Sequence, residues 1–310
     1  MALLREPLLA AARSPRLRSV AEKSRLTRPV VDRFVAGSTE ADALRVTAEL
    51  EAAGLYVSLD FLGEDTTSAE QAEHTVAAYE SVLKGLAASG SAERAEVSVK
   101  LSAIGQALPG DGERIALDGA RRICQAAATV GTTVTIDMED HTTTDSTLGI
   151  VAQLRADFPW VGAVLQAYLK RTEADCRELA TAGSRIRLCK GAYAEPESVA
   201  FVGEEVEESY RRCLSVLFAG KGYPMVASHD PAMIAAARSL AVQNNRASDS
   251  YEFQMLYGIR PEEQRALAAG GHRMRVYVPY GDEWYGYFMR RLAERPANLA
   301  FFLRSLASKK

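Results

Sequence analysis

The segment Arg185-Ile186-Arg187-Leu188-Cys189-Lys190-Gly191-Ala192-Tyr193 puts three cations along, and just past, a run that otherwise reads as a buried strand. Taking a charge out of water is costly unless it is paired or put to use. Cations near the far end of a core strand, followed by Lys-Gly-Ala-Tyr, therefore point to an anionic or electron-rich ligand. A second constellation lies near the C-terminus, where Tyr287, Arg290, Arg291 and Glu294 follow the i, i+3, i+4, i+7 spacing of one helix face. Phe288, Met289 and Leu292 fall largely elsewhere on that helix and can pack. Adjacent guanidinium groups repel unless an anion or carboxylates lie between them, and the rigid arginine fork suits a carboxylate held by two parallel bonds. The alternative is a solvated basic patch offset by Glu294.

The elements that must position these groups follow a regular beat. The predicted strands are Tyr56–Leu62, Val97–Leu101, Val134–Asp137, Ala163–Tyr168, Ile186–Cys189, Met225–Ser228, Tyr251–Leu256 and Met274–Pro279. Amphipathic stretches such as Ser68–Ala88, Arg114–Val130 and Glu204–Leu217 separate them. Thr66-Thr67-Ser68, with Glu70 just beyond, and Asp230-Pro231 read as helix starts. Short strands alternating with helices imply parallel β-α units, and eight of them imply an α/β chain closed into a (βα)8 barrel. An open doubly wound sheet is the competing architecture. No G-x-G-x-x-G follows the first strand and no G-x-x-x-x-G-K-[ST] occurs, which argues against it.

In such barrels chemistry sits at the carboxyl ends of the strands. Those ends deliver Asp60 and Glu64; Lys100; Asp137, Glu139 and Asp140; Gln166; Arg187 and Lys190; Ser228, His229 and Asp230; Glu252 and Gln254; and Tyr277. One such group is easily a structural ion pair. So many on one rim read as an active site.

The rest of the chain narrows the classes. It has 310 residues, 47% hydrophobic and 25% charged, with a net charge of -3, which offers no nucleic-acid signal. The four cysteines and four histidines are scattered, without metal-ligand spacing, and read as reduced thiols in a cytoplasmic protein with no metal. No apolar run approaches the roughly 20 residues of a membrane span. Residues 1–38 read as a basic N-terminal extension of two short amphipathic helices broken near Ser14-Pro15, ahead of a barrel domain over residues 39–310. That extension reads as a helical cap on the barrel, or as a basic face for an anionic membrane surface.

The segments Leu59-Asp60-Phe61-Leu62-Gly63-Glu64, Val99-Lys100-Leu101-Ser102, Ile136-Asp137-Met138-Glu139, Gln166-Ala167-Tyr168, Arg187 to Tyr193, Ser228-His229-Asp230, Tyr251 to Gly258 and Tyr287-Phe288-Met289-Arg290-Arg291 together resemble proline dehydrogenase, above all its short monofunctional bacterial members. The likeness runs in order from about Leu55 to Arg304, and the R-L-x-K-G-A-Y run and Y-x-x-R-R helix are its specific parts. It implies a distorted (βα)8 barrel that binds FAD without a Rossmann domain, with the last helix over the barrel mouth. The implied activity is oxidation of L-proline to Δ1-pyrroline-5-carboxylate, the first step of proline catabolism. Electrons would pass to a quinone acceptor, which makes peripheral contact with the inner face of the cell membrane an open expectation. A separate pyrroline-5-carboxylate dehydrogenase would be a partner.

By the same resemblance, Arg290 and Arg291 would clamp the proline carboxylate, Lys100 would neutralise its other side, and Asp137 would pair with Lys100. Tyr277, Tyr287 and Leu256 would wall the ring, and Glu64 would close over the substrate by pairing with Arg290. Arg187 would hydrogen-bond near flavin N5. Met138, Gln166, Lys190, Gly191, Ala192, Ser228, His229 and Glu294 would hold the flavin and its phosphates. Where the bifunctional relatives carry a tryptophan after the K-G-A-Y tyrosine, this chain has Ala194. Asp137 and Arg187 are the catalytic candidates: the cation stabilises charge developing on the cofactor, and the carboxylate either takes the amine proton or orients Lys100. Two other readings of the residues stay open. Lys100 or Lys190 would serve as a Schiff-base lysine in an aldolase-type barrel, or the barrel would bind a ligand without turning it over.

Overall fold

Along each strand, side chains alternate between two very different surroundings. Those facing outward, such as Val57 and Leu59, Val97 and Val99, Ile186 and Leu188, or Val276 and Val278, are apolar and buried under the helices. Those facing inward are polar, among them Ser58 and Asp60, Glu96 and Ser98, Arg185 and Arg187, Glu252 and Gln254, and Arg275 and Tyr277. The period of two sorts them. The computed structural model describes residues 31–63 and 66–294, with the backbone alone for residues 290–294.

The eight strands are β1 Tyr56–Phe61, β2 Ala95–Val99, β3 Val134–Ile136, β4 Gly162–Gln166, β5 Arg185–Cys189, β6 Tyr223–Ala227, β7 Glu252–Leu256 and β8 Met274–Tyr280. All pair in parallel, in sequence order, and β8 pairs with β1 to close the barrel. Helix α1, Glu40–Ala52, precedes β1 and packs against β1, β8 and the following helix. Each strand is then followed by a helix: α2 Ala69–Ser89, α3 Gly112–Val130, α4 Thr144–Asp157, α5 Thr172–Leu179, α6 Glu204–Ala219, α7 Pro231–Gln243, α8 Pro261–Ala269 and α9 Trp284–Glu294. The predicted helix starts hold: Ser68 Oγ caps α2 by accepting from Gln71 N at 3.2 Å, and Asp230 caps α7 with Pro231 in its first turn. Strand β6 begins two residues earlier than expected, with Pro224 paired in register with Ile186 at the strand entrance, where proline is tolerated.

A barrel interior is ordinarily filled by branched apolar side chains. Here it is filled by ion pairs. Arg185 meets Glu96 at 2.7 Å, Arg275 meets Glu252 at 2.8 Å, Arg187 meets Asp137 at 2.6 Å, and Lys100 meets Asp60 at 2.6 Å. Each of these four carboxylates therefore has a cation of its own, which is the condition under which buried charge is tolerated. Glu252, expected on the rim, lies instead at the floor. It is the first residue of β7, below Gln254, and bonds Arg275 and the Tyr223 hydroxyl.

A second, smaller apolar cluster seats the last helix. Val31, Phe34 and Val35 pack with Leu62, Ile259 and the α9 residues Tyr285, Phe288 and Met289. The segment is tied down where Ala36 N donates to Pro279 O at 2.9 Å and Gly281 N donates to Gly37 O at 2.9 Å. Gly258 is required for this closeness, since a Cβ there would lie 1.7 Å from the Arg33 carbonyl oxygen. Residues 1–30 of the expected N-terminal extension lie outside the described residues.

Candidate active site

The carboxyl ends of β2 to β8 surround a cavity of about 480 Å³, in the range of a cofactor or drug-sized ligand site. Its polar floor is the top of the interior ion-pair lattice. Arg187 is 5% exposed and is held from four directions. Its Nε donates to Gln254 Oε1 at 2.5 Å, one terminal nitrogen donates to Asp137 at 2.6 Å and Ser98 Oγ at 2.8 Å, and the other donates to Ser58 Oγ at 3.3 Å. Glu96 lies 3.5 Å below it. Asp137 also accepts from the Tyr277 hydroxyl at 2.7 Å and from Ser98 Oγ at 2.7 Å. The guanidinium carbon stands 5.3 Å from the Tyr277 ring centre, so the phenol is both a donor and a face for the cation.

The structure corrects one predicted contact. The ion pair of Asp137 is with Arg187, and that of Lys100 is with Asp60. Asp60 on β1 sits in register with Ser98 of β2, beside Lys100, whereas Asp137 follows β3 and faces Arg187. Lys100 and Asp137 are linked through Tyr277, whose hydroxyl accepts from Lys100 Nζ at 3.3 Å.

Electrostatics follow from burial and pairing. Burial alone would raise the Glu96 carboxyl, but Arg275, Arg185 and Arg187 together hold it well below the usual carboxylate range. Burial likewise opposes ionisation of Glu252, and Arg275 overrules it. Burial raises the Asp60 carboxyl, with Lys100 acting against the rise. Burial and then Asp137 push the Tyr277 phenol far up, so it remains a neutral donor. Burial pushes the Cys189 thiol up to about 12.

The walls come from the other predicted residues. Met138, Gln166, Leu256 and Tyr287 line the cavity, as do Lys190, Gly191, Ala192, Ser228 and His229. Gln166 donates to the Glu139 carbonyl at 2.6 Å. Ser228 Oγ accepts from Asp230 N at 3.1 Å, and His229 Nε2 accepts from Leu256 N at 3.0 Å, which leaves the proton of a neutral ring on Nδ1. Lys190 Nζ sits between Glu207 at 3.1 Å and Asp230 at 3.0 Å. Glu64 and the side chains of Arg290, Arg291 and Glu294 lie outside the described residues. Sequence reasoning missed Ser98 and the lining residues Val164, Tyr193 and Met255. The inward parity of β2, on which Ser98 precedes Lys100 by two, is a signal that finds Ser98.

Gly191 tests whether a flat cofactor suits this wall. It has φ +111°, and a Cβ would fall 2.1 Å from Tyr168 Cδ1. The Tyr168 ring is fixed in turn, because its hydroxyl donates to Glu195 at 3.2 Å and Glu195 also bonds the His141 ring and accepts from His141 N at 2.9 Å. The backbone at Gly191 therefore runs directly against the ring, with no room for a side chain between them. The cavity so formed has apolar faces of Met138, Val164 and Met255 and a cation and two amides at its base, from Arg187, Gln166 and Gln254. Those features fit a flavin: apolar walls for its rings, a cation and hydrogen-bonding groups for its polar edge.

Comparison with known proteins bears on this arrangement. The proline dehydrogenase family model matches residues 43–304. Proline dehydrogenase 1 of Bacillus subtilis (strain 168) is 39% identical over 284 residues, which is 91% of this chain and 92% of that protein. Proline dehydrogenase of Deinococcus radiodurans is 38% identical over 308 residues, 98% of each chain. The crystal structure of proline utilization A (PutA) from Bdellovibrio bacteriovorus, inactivated by N-propargylglycine, superposes with a TM-score of 0.80 at 25% identity, over 95% of this chain and 35% of that longer one. A match across most of the length, joined to the closed eight-stranded barrel, places the chain in the proline dehydrogenase family.

Proposed function

We propose that this protein oxidises L-proline to Δ1-pyrroline-5-carboxylate with FAD as its cofactor, and that the cavity at the barrel mouth is where it does so. The observation that carries this reading is the Lys100–Tyr277–Asp137–Arg187 floor beneath an apolar-walled cavity in a member of this family. Met138, Gln166, Arg187, Lys190, Gly191, Ala192, Ser228 and His229 would hold the cofactor. When bound, a flavin supplies the acceptor for the hydride that leaves the ring carbon next to nitrogen.

The chain's own groups bind, orient and exclude water. Lys100 and, from α9, Arg290 and Arg291 hold the substrate carboxylate, which fixes one end of a small rigid ring. Tyr277, Tyr287 and Leu256 wall its faces, so that the reacting carbon is presented in one orientation. Arg187 is preorganised by five protein oxygens and keeps a positive charge at the base of the cavity, where negative charge develops. Asp137 has both oxygens engaged by Arg187, Ser98 and Tyr277, which supports an orienting role rather than that of a base. Glu64 pairing with Arg290 would close the site. The electrons pass to a quinone-type acceptor, and a separate dehydrogenase consumes the product. Four free cysteines support a reducing, cytoplasmic setting. Among the described residues no helix is long and apolar enough to cross a membrane.

A Schiff-base mechanism finds less support, because it needs an uncharged amine. Lys100 is ion-paired with Asp60, and Lys190 with Glu207 and Asp230. The test is to replace Arg290 and Arg291 singly by alanine. Each should raise KM for proline by roughly 10- to 100-fold, the value of a charge-assisted hydrogen bond, with flavin retained. An unchanged KM in both variants removes the carboxylate assignment.

A further inference from the structure

Lys100 reaches the cavity, but the carboxylate it rests on does not line it. Asp60 is 0% exposed on β1, and its two oxygens accept from Lys100 Nζ at 2.7 and 2.6 Å. We infer that Asp60 is a positioning residue for the reaction: it keeps Lys100 in its ammonium form and aims it at the substrate carboxylate. The aiming rests on the proline reading above, whereas the holding of the charge does not.

A buried amine without a counter-charge gives up its proton. The other groups around the pair have different tasks. Asp137 on the β3 side is matched by Arg187 of β5, and Tyr277 of β8 donates to Asp137. The phenols of Tyr79 on α2 and Tyr280 on β8, which also lie near Asp60, are pushed up by burial and stay neutral. Asp60 is the carboxylate that meets the Lys100 ammonium group directly among the described residues, through both of its oxygens. Its bidentate geometry also fixes where the ammonium group points, since both oxygens lie on one side and the Tyr277 hydroxyl lies at 3.3 Å.

The test is the isosteric Asp60→Asn in the whole flavin-loaded protein. Ionisation of Lys100 is followed by carbon NMR of ε-labelled lysine, assigned with Lys100→Met. Lys100 should lose its charge at a lower pH in the variant than in wild type. In parallel, tetrahydrofuran-2-carboxylate, which has an oxygen where proline has its amine, is titrated by its effect on the flavin spectrum. Its Kd should rise roughly 10- to 100-fold in Asp60→Asn and rise further with pH. Adding Asp60→Asn to Lys100→Met should change Kd by less than about threefold, because the two act as a unit. If Asp60→Asn fails to fold, the double variant decides: it folds if Asp60 matters through Lys100, and stays unfolded if Asp60 has a separate structural task. Lys100 remaining charged in Asp60→Asn, or an undiminished Asp60 effect without Lys100, overturns the inference. If wild type ignores the analogue, the proline reading fails, and the ionisation result still decides the role of Asp60.

Discussion

Replacing Arg187 by methionine removes the cation at the centre of the polar floor and keeps much of its volume. The change strips Asp137 of its ion pair at 2.6 Å and leaves Gln254 Oε1 without its donor at 2.5 Å. The Asp137 side chain is only 11% exposed, so its charge stays largely buried after the partner is lost. Breaking a buried pair in this way costs about 3–5 kcal/mol. For a chain of this size, at about 2 °C per kcal/mol, Tm should fall by roughly 6–10 °C. Loss of one preorganised donor should also lower kcat by about 10²- to 10³-fold. The two effects separate in Arg187→Met/Asp137→Asn, where no unpaired carboxylate remains: Tm should largely recover and kcat should not. Differential scanning calorimetry and proline-dependent dye reduction measure the two quantities. A single variant within about 1 °C of wild type, or a double variant that regains its rate, refutes the reasoning.

Gly191→Ala should impair flavin retention more than the barrel, because the new methyl group meets the fixed Tyr168 ring at 2.1 Å and φ is +111°. Strain and overpacking together amount to about 2–5 kcal/mol, read as flavin lost on gel filtration with far-UV ellipticity unchanged; full flavin content contradicts it. Glu96 tests the interior lattice by pH. Its folded carboxyl is held below the unfolded value, so its stabilisation is present above about pH 4.5 and fades as pH falls toward the lower, folded value. Urea midpoints of Glu96→Gln should therefore start below wild type at pH 7 and converge with it in acid, and parallel curves would contradict the assignment.

Much of the barrel was legible because its two signals are local. Val57/Leu59 and Val276/Val278 announce outward faces by period-two spacing, and Ser68 and Asp230-Pro231 announce helix starts by their own chemistry. The pairings inside were not legible, because which carboxylate meets which cation depends on strand register. Asp60 and Asp137 look equivalent as strand-end acids, and the β1–β2 register is what gives Lys100 to Asp60. Glu252 was misplaced for a different reason: it opens β7, at the amino end of the strand, and was counted with the groups at the carboxyl ends. The wall of the cavity was legible through the Lys-Gly-Ala-Tyr run. Its dependence on Tyr168, Glu195 and His141 spans three separate loops and leaves no mark in linear spacing.

The most direct measurement is anaerobic addition of L-proline to the purified, yellow, full-length protein while its visible flavin absorbance is recorded. The account predicts stoichiometric bleaching of that band by proline, with Δ1-pyrroline-5-carboxylate formed in equal amount. A flavin band that proline leaves unchanged, or a folded protein that binds no flavin, would contradict it.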